Sequence, residues 1–295
     1  MSPKNILILL LIVIAVVYHA FWYATERKRT HQPGALKPTG KALLAAFIAN
    51  FFDTLGIGSY ATTTSMSKLW HLMPDEKIPG TLNVGYVLAT VVQAVIFMTI
   101  IEVDFLTLIS IIGAAVLGAF LGAGVVSGFS RRQVQVGMGT ALLVASGLMV
   151  LSMSGQGPAP GVALGLSGAK LGIAVAISMV LGALMMLGIG FYGPCLIMIS
   201  LLGMDPRVSY PIMMGACAFL MPSGSIQFIR KGSYDLRASI AFLIAGPLAV
   251  LIAAPLVDQI PLFYLRILVL IVVLYTAVRM LNSAAQEKAA ARATA

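Results

Sequence analysis

Long stretches without a single charge constrain this chain more than any other feature. The run at 105–126 has no Asp, Glu, Lys or Arg, and neither has the run at 171–202. About twenty such residues in a helix match the hydrocarbon thickness of a bilayer. Comparable segments lie at 6–23, 42–66, 81–101, 134–153, 210–229, 238–257 and 262–281, about nine in all. With 59% of 295 residues hydrophobic and 10% charged, the polar surface is too small to cover a soluble globule. In lipid every backbone polar group must be bonded internally, which leaves helices or a closed barrel. Barrel strands alternate apolar and polar residues, whereas these segments are apolar throughout. The expected fold class is therefore all-α, a polytopic membrane protein in a cell membrane, here a bacterial inner membrane, with the lipid bilayer as its solvent.

The net charge of +9 does not point to nucleic acid, because the basic residues sit in short connections between apolar segments, as in cytoplasmic loops. Cys195 and Cys217 lie in apolar stretches without CxxC spacing, so they read as small core hydrophobes. No metal and no cofactor are expected. The oligomeric state is left open.

The order of segments divides the chain. Residues 1–26 form an N-terminal transmembrane helix, whose far end carries Tyr18, Phe21, Trp22 and Tyr23 before the cluster Glu26-Arg27-Lys28-Arg29. That end belongs at a cytoplasmic interface, with the N-terminus outside. A cleaved secretory signal would carry its positive charge before the apolar run, so the helix is expected to stay. A basic linker follows at 27–41, then a first transport repeat at 42–153, a Gly-, Pro- and Ser-rich loop at 154–169, a second repeat at 170–283 and a tail at 284–295.

The repeat is internal. A shift of 132 positions pairs Leu55-Gly56-Ile57-Gly58-x-Tyr60 with Leu187-Gly188-Ile189-Gly190-x-Tyr192, and Pro74 and Pro79 with Pro206 and Pro211. Nine of the 25 positions at 55–79 are identical. A shift of 131 then pairs Phe97 with Phe228 and Asp104 with Asp235. Paired prolines and paired GIGxY motifs at one spacing argue for duplication rather than for shared apolar composition.

Whether the copies are parallel or inverted depends on the Gly-containing segments. If they cross fully, the 19 Lys and Arg residues divide 12 inside to 7 outside, with Lys68, Lys77, Arg131 and Arg132 among the outside set. If each dips in and returns, only Lys4, Lys170, Arg207 and Arg266 lie outside and 15 lie inside. Positive charge prefers the cytoplasm, which favours inverted repeats with re-entrant or broken helices.

A break at membrane depth frees backbone groups that lipid cannot satisfy, so it persists where it lines a wet cavity. There the N-terminus of the second half-helix offers N–H donors and a positive dipole end to an anion. The candidate substrate lining is Gly56, Gly58, Ser59, Tyr60, Thr62 and Thr63 with Gly188, Gly190, Tyr192, Gly193 and Cys195. Thr81, Asn83 and Gln93, and Ser223, Ser225 and Gln227 in the partner helix, are further polar candidates. Ordinary interhelical hydrogen bonding accounts for any one of them equally well. Asp53, a carboxylate inside an apolar segment three residues before the break, is read either as a proton-coupling group or as a cap on the half-helix. Its partner in the second copy is Met185. Glu102 and Asp104 read as solvated loop charges.

Three stretches, Asn50-Phe51-Phe52-Asp53-Thr54-Leu55-Gly56-Ile57-Gly58, the Pro74–Asn83 connection and Gly190-Phe191-Tyr192-Gly193-Pro194, resemble the sulfite exporter TauE/SafE family, also described as sulfonate permeases. The resemblance covers roughly 41–281 and sets the helix at 6–23 outside the family's usual body. A longer glycine run is usual after the acidic residue, whereas Ser59, Tyr60 and Ala61 follow Gly58 here. The resemblance implies a permease for a small anionic substrate such as sulfite, a sulfonate or a related organic anion, working by alternating access, with protons as a candidate coupling ion.

Other classes fit less well. An anion channel would use the same broken helices, but no charged ring or repeated filter is visible. An intramembrane enzyme would pair Asp53 with a second acid or a serine with a histidine deep in a segment, and His19, His31 and His71 lie near or beyond segment ends. Paired histidines for a haem are absent from the apolar runs. The chain is therefore expected not to be an enzyme.

Overall fold

A computed structural model describes residues 3–29, 36–154, 161–188 and 190–257 and part of 267–286. Arg266, most of the last apolar segment at 262–281 and most of the tail lie outside the described residues, as do parts of the linker and of the loop between the halves. Within them the chain is all-α. Helix α1 (Pro3–Arg27) is followed by α2 (Gly40–Thr54), α3 (Ser59–Trp70), α4 (Ile78–Gly85), α5 (Val87–Ile100), α6 (Phe105–Val126) and α7 (Arg131–Met153). The second half contains α8 (Gly168–Met185), α9 (Tyr192–Leu201), α10 (Ser209–Lys231) and α11 (Leu236–Ala253). Among the described residues five helices are long and apolar enough to cross a membrane, and α4 with α5, bent by 42° at the break between them, passes the same test only as a pair, as a broken span or a re-entrant loop. Their outer faces are apolar, as at Val16 and Val17 of α1, Leu117 and Leu121 of α6 and Leu251 of α11, all exposed. Such faces suit lipid.

The segments at 42–66 and 171–202 are each broken at their GIG motif, as the glycines foretold. The bend inside 81–101 was not foretold. It falls at Tyr86, whose carbonyl accepts a hydrogen bond from the Thr90 hydroxyl. A side chain competing for a backbone carbonyl is a common origin of a helix bend. His19, expected near a segment end, lies within α1, because helix continues through the aromatic belt to Arg27.

Over the described residues the two halves follow a similar order of elements, with the single helix α10 where the first half has α4 and α5. The starts of α4 and α10, at Ile78 and Ser209, are 131 positions apart, and so are the starts of α6 and α11, at Phe105 and Leu236. Asp104 caps α6 through the Thr107 N–H, and Asp235 caps α11 through the Ala238 N–H. Hydrogen bonds from the Thr107 hydroxyl and then the Thr107 N–H hold the exposed Asp104 carboxyl below the usual carboxylate range.

Packing exchanges partners between the halves, with α6 lying on α8, α11 on α2, and α10 against α5 at the buried centre. The equivalent elements run antiparallel there. Gly80, at the start of α4, lies against Phe228 and Ser233 at the end of α10, while Gly215 near the start of α10 lies against Met98 near the end of α5. Phe97 stacks on Tyr210 at 5.2 Å and Tyr86 on Phe242 at 4.5 Å. Helix α8 begins where α9 ends, since Lys170 Nζ donates to the Leu202 carbonyl at 2.9 Å. This pair is a hairpin.

Charge separates the two ends of the bundle. At one end Arg29 donates to the Ile229 and Arg230 carbonyls, Lys231 to the Gly124 carbonyl, and Lys68 pairs with Asp75. Lys77 and the start of α7 follow directly in the chain. At the other end Lys4 reaches the Thr99 carbonyl, and Asp104 and Asp205 bond to Leu164 and Ala163. Lys68, Lys77, Arg131 and Arg132 thus share an end with Arg29 and Arg230.

Candidate functional site

Glycine geometry ends the first arm of each hairpin. After α2 the chain turns at Gly56, at φ +87°, so that its N–H meets the Asp53 carbonyl at 2.9 Å and the Ile57 N–H meets the Phe52 carbonyl at 3.1 Å. This is a Schellman closure. Gly188, at φ +95°, turns the chain after α8 with its N–H on the Met185 carbonyl at 2.9 Å. An added Cβ at Gly56 would stand 2.9 Å from the Tyr210 hydroxyl, and one at Gly188 would stand 2.7 Å from the Met138 methyl. Gly56→Ala and Gly188→Ala are each expected to cost about 1–3 kcal/mol, read as a lowered thermal midpoint of the detergent-solubilised protein.

The second arms begin differently. Gly58 precedes α3 and has no side chain to cap it, and the Asp53 carboxylate takes that role, with Oδ1 accepting the Ser59 N–H at 2.5 Å. Of the two roles read for Asp53, the cap is the one drawn in bonds. Helix α9 has no side-chain cap, and Met185 stands where the first copy has Asp53. Pro194 at its third position lacks an N–H, so the donors at this helix start are those of Phe191, Tyr192 and Gly193.

A buried network joins the tips through α5. Gln93 Nε2 donates to Asp53 Oδ2 at 2.9 Å and to Thr54 Oγ1 at 3.0 Å, while the Tyr192 hydroxyl donates to Gln93 Oε1 at 2.9 Å. The Thr54 hydroxyl gives its own proton to the Asn50 carbonyl at 2.8 Å, which fixes which way the Gln93 amide faces. The Tyr60 hydroxyl donates to Asn83 Oδ1 at 3.0 Å, and Asn83 Nδ2 donates to the Pro79 carbonyl. A Cβ at Gly190 would lie 3.9 Å from Tyr60 Cβ, so the two GIGxY motifs meet.

Gly56, Gly58, Ser59, Tyr60, Gly188, Gly190, Tyr192 and Gly193 therefore belong to or adjoin the two tips around Asp53. Cys195 is buried in the first turns of α9. Thr62 bonds back to the Gly58 and Ser59 carbonyls, and Thr63 shares a 2.7 Å hydrogen bond with Tyr86. Thr81 lies elsewhere. At the charged end its hydroxyl donates to the Lys77 carbonyl and accepts the Asp235 N–H, tying α4 to α11. Ser223 is half-buried, Ser225 lies beside Tyr18 of α1, and Gln227 is half-buried further along α10. Gln93 holds the central position, although its sequence did not set it above the other polar candidates. Its rank comes from partners 40 and 99 positions away.

A family model described as "Sulfite exporter TauE/SafE" matches residues 1–149. The match includes α1, which the sequence resemblance had set outside the family's body, and it ends within α7. No curated protein and no solved structure matches the chain. With a match over half its length on the elements that build the first hairpin, the chain belongs to the sulfite exporter TauE/SafE family, multi-pass membrane transporters of the sulfite or small-anion type.

Proposed function

We propose that the chain carries a small oxyanion, sulfite, a sulfonate or a related organic anion, by alternating access, and that the anion is held between the two hairpin tips at the start of α9. The asymmetry of the tips carries this reading. The start of α3 already faces a carboxylate, which would repel a second anion, whereas the start of α9 has no capping side chain and no acid at the matching position. A helix start without a cap offers N–H donors and the positive end of the helix dipole. Tyr60 and Gly190 border this place, and the antiparallel relation of α4–α5 to α10 supports inverted repeats, the arrangement in which one half rocks against the other around a fixed site.

Asp53 is the proposed coupling group. Both of its oxygens accept hydrogen bonds, so a proton arriving there must reorganise the bonds that hold the first tip to Gln93 and Ser59. Flux measured against pH for Asp53→Asn tests this, and an unchanged pH dependence eliminates coupling through Asp53.

The anion itself is tested by binding to the purified protein with a panel of sulfite, sulfoacetate, thiosulfate and carboxylates. Saturable binding of at least one is expected, with counterflow in proteoliposomes distinguishing a carrier from a channel. No response to any of the panel sinks the anion reading.

A further inference from the structure

Away from the tips, α3 is the most polar helix of the bundle, and it points at the charged end. Tyr60, Thr64 and Ser67 recur on one face of it, and Lys68 follows one turn after Thr64. Thr64 and Ser67 are each 1% exposed, yet neither hydroxyl has a hydrogen-bond partner among the described residues. A buried polar group without a partner costs about 1–3 kcal/mol, and natural structures seldom keep two in one stripe without a use for them. The stripe ends at a nearly buried ion pair, with Lys68 Nζ 2.5 Å from Asp75 Oδ2 and side chains 17% and 7% exposed. Gln135 of α7 donates to the same Asp75 oxygen at 2.9 Å.

Helix α7 connects this pair to the proposed site. Two residues after Gln135, Gly137 lies against the Leu187 side chain, and Met138 lies against Gly188 at the second tip. Leu142, one turn on, packs with Ile57 and Ala61 of the first. One helix thus touches the ion pair and both tips. Among the described residues the opposite end shows no counterpart, since the positions matching Lys68 and Asp75 are Ser200 and Arg207, and the nearby Lys170 is bound to a backbone carbonyl.

We propose that Lys68 and Asp75, latched to α7 by Gln135, form a gate at the positively charged end, and that Thr64 and Ser67 line the path between this gate and the hairpin tips. Closed, the pair neutralises both charges and leaves the two hydroxyls dry. Open, it releases the Lys68 ammonium toward the path, where it meets the departing or arriving anion, while Thr64 and Ser67 gain water or anion as partner. The proposal rests on the reading of the tips as the anion site, but its test needs no substrate.

The test is the rate at which a membrane-impermeant thiol reagent, added from the charged end, labels Thr64→Cys in reconstituted protein. Signal from the buried native Cys195 and Cys217 is taken from the unsubstituted chain. With the gate intact labelling is slow. Asp75→Asn is expected to speed it at least tenfold, and the charge-swapped pair Lys68→Asp with Asp75→Lys is expected to restore the slow rate. Gln135→Ala, which leaves the ion pair in place, should speed it several-fold and decides the matter if Asp75→Asn does not fold. Labelling at the parent rate in a folded Asp75→Asn or Gln135→Ala protein overturns the gate, as does fast labelling in the charge-swapped protein. Failure of every anion to bind would remove the site reading and leave these rates as they are.

Discussion

Asp53→Leu is expected to abolish anion flux, by at least about a hundredfold, and to destabilise the protein by about 2–6 kcal/mol. Two buried donors, the Ser59 N–H and one Gln93 Nε2–H, lose their acceptor together. Each unsatisfied group costs about 1–3 kcal/mol, more where the lost partner is charged, and every 1.4 kcal/mol is a factor of ten. The effect on flux exceeds the effect on folding because the lost bonds are those that set one tip against the other. Asp53→Asn separates the two roles. Its oxygen can keep the Ser59 N–H, but its amide then turns an N–H toward Gln93 Nε2. Gln93 cannot flip to receive it without aiming Oε1 at Thr54 Oγ1, whose proton is already given to Asn50. The asparagine protein is therefore expected to fold while transporting poorly. Flux in proteoliposomes and thermal midpoints in detergent check both statements, and a fully active leucine variant would refute the account of the tip.

Gly118→Val is expected to destabilise the fold strongly. Helices α6 and α8 approach so closely that a Cβ at Gly118 would overlap the Met179 carbonyl oxygen, and one at Gly182 would overlap the Ala115 carbonyl oxygen in return. Backbone cannot rotate away as a side chain can, so the helices must separate. Overpacking typically costs about 1–3 kcal/mol and occasionally more, and an obstruction by two backbones belongs at the upper end. Because α6 is of one half and α8 of the other, the damage falls on the joint between the halves. Gly113→Val on the same helix is the control, since nothing lies within 4 Å of that position and it is exposed. Its midpoint is expected to change little, within the range of about 0.5 kcal/mol usual for surface positions. Size-exclusion profiles after graded heating compare the two directly. Similar profiles would show that the crossing tolerates separation.

Each correction between sequence and structure has a physical cause. The breaks at Gly56 and Gly188 were legible because glycine is the residue that takes positive φ without strain, and two copies of one motif excluded accident. The grouping of Lys68, Lys77, Arg131 and Arg132 with Arg29 was legible through the preference of positive charge for one side of the membrane. Where Thr81 sits was not legible, because a hydroxyl in an apolar run has no address in the sequence. Packing placed it at the end of the bundle, where it ties α4 to the start of α11. The bend at Tyr86 left no proline behind as a signal, and α1 was set outside a family whose model begins at residue 1.

By itself the sequence determined that this protein is a helical membrane protein, that its helices break at two matched places, and which residues belong to its positive end. Those properties follow from hydrophobicity, local backbone sterics and charge, and each is carried by residues near one another in the chain. Only the tertiary structure decided that Asp53 caps α3, that Gln93 joins both tips, and that Lys68, Asp75 and Gln135 converge. Hydrogen bonds between groups dozens of positions apart depend on which helix faces are pressed together, and no local pattern encodes that.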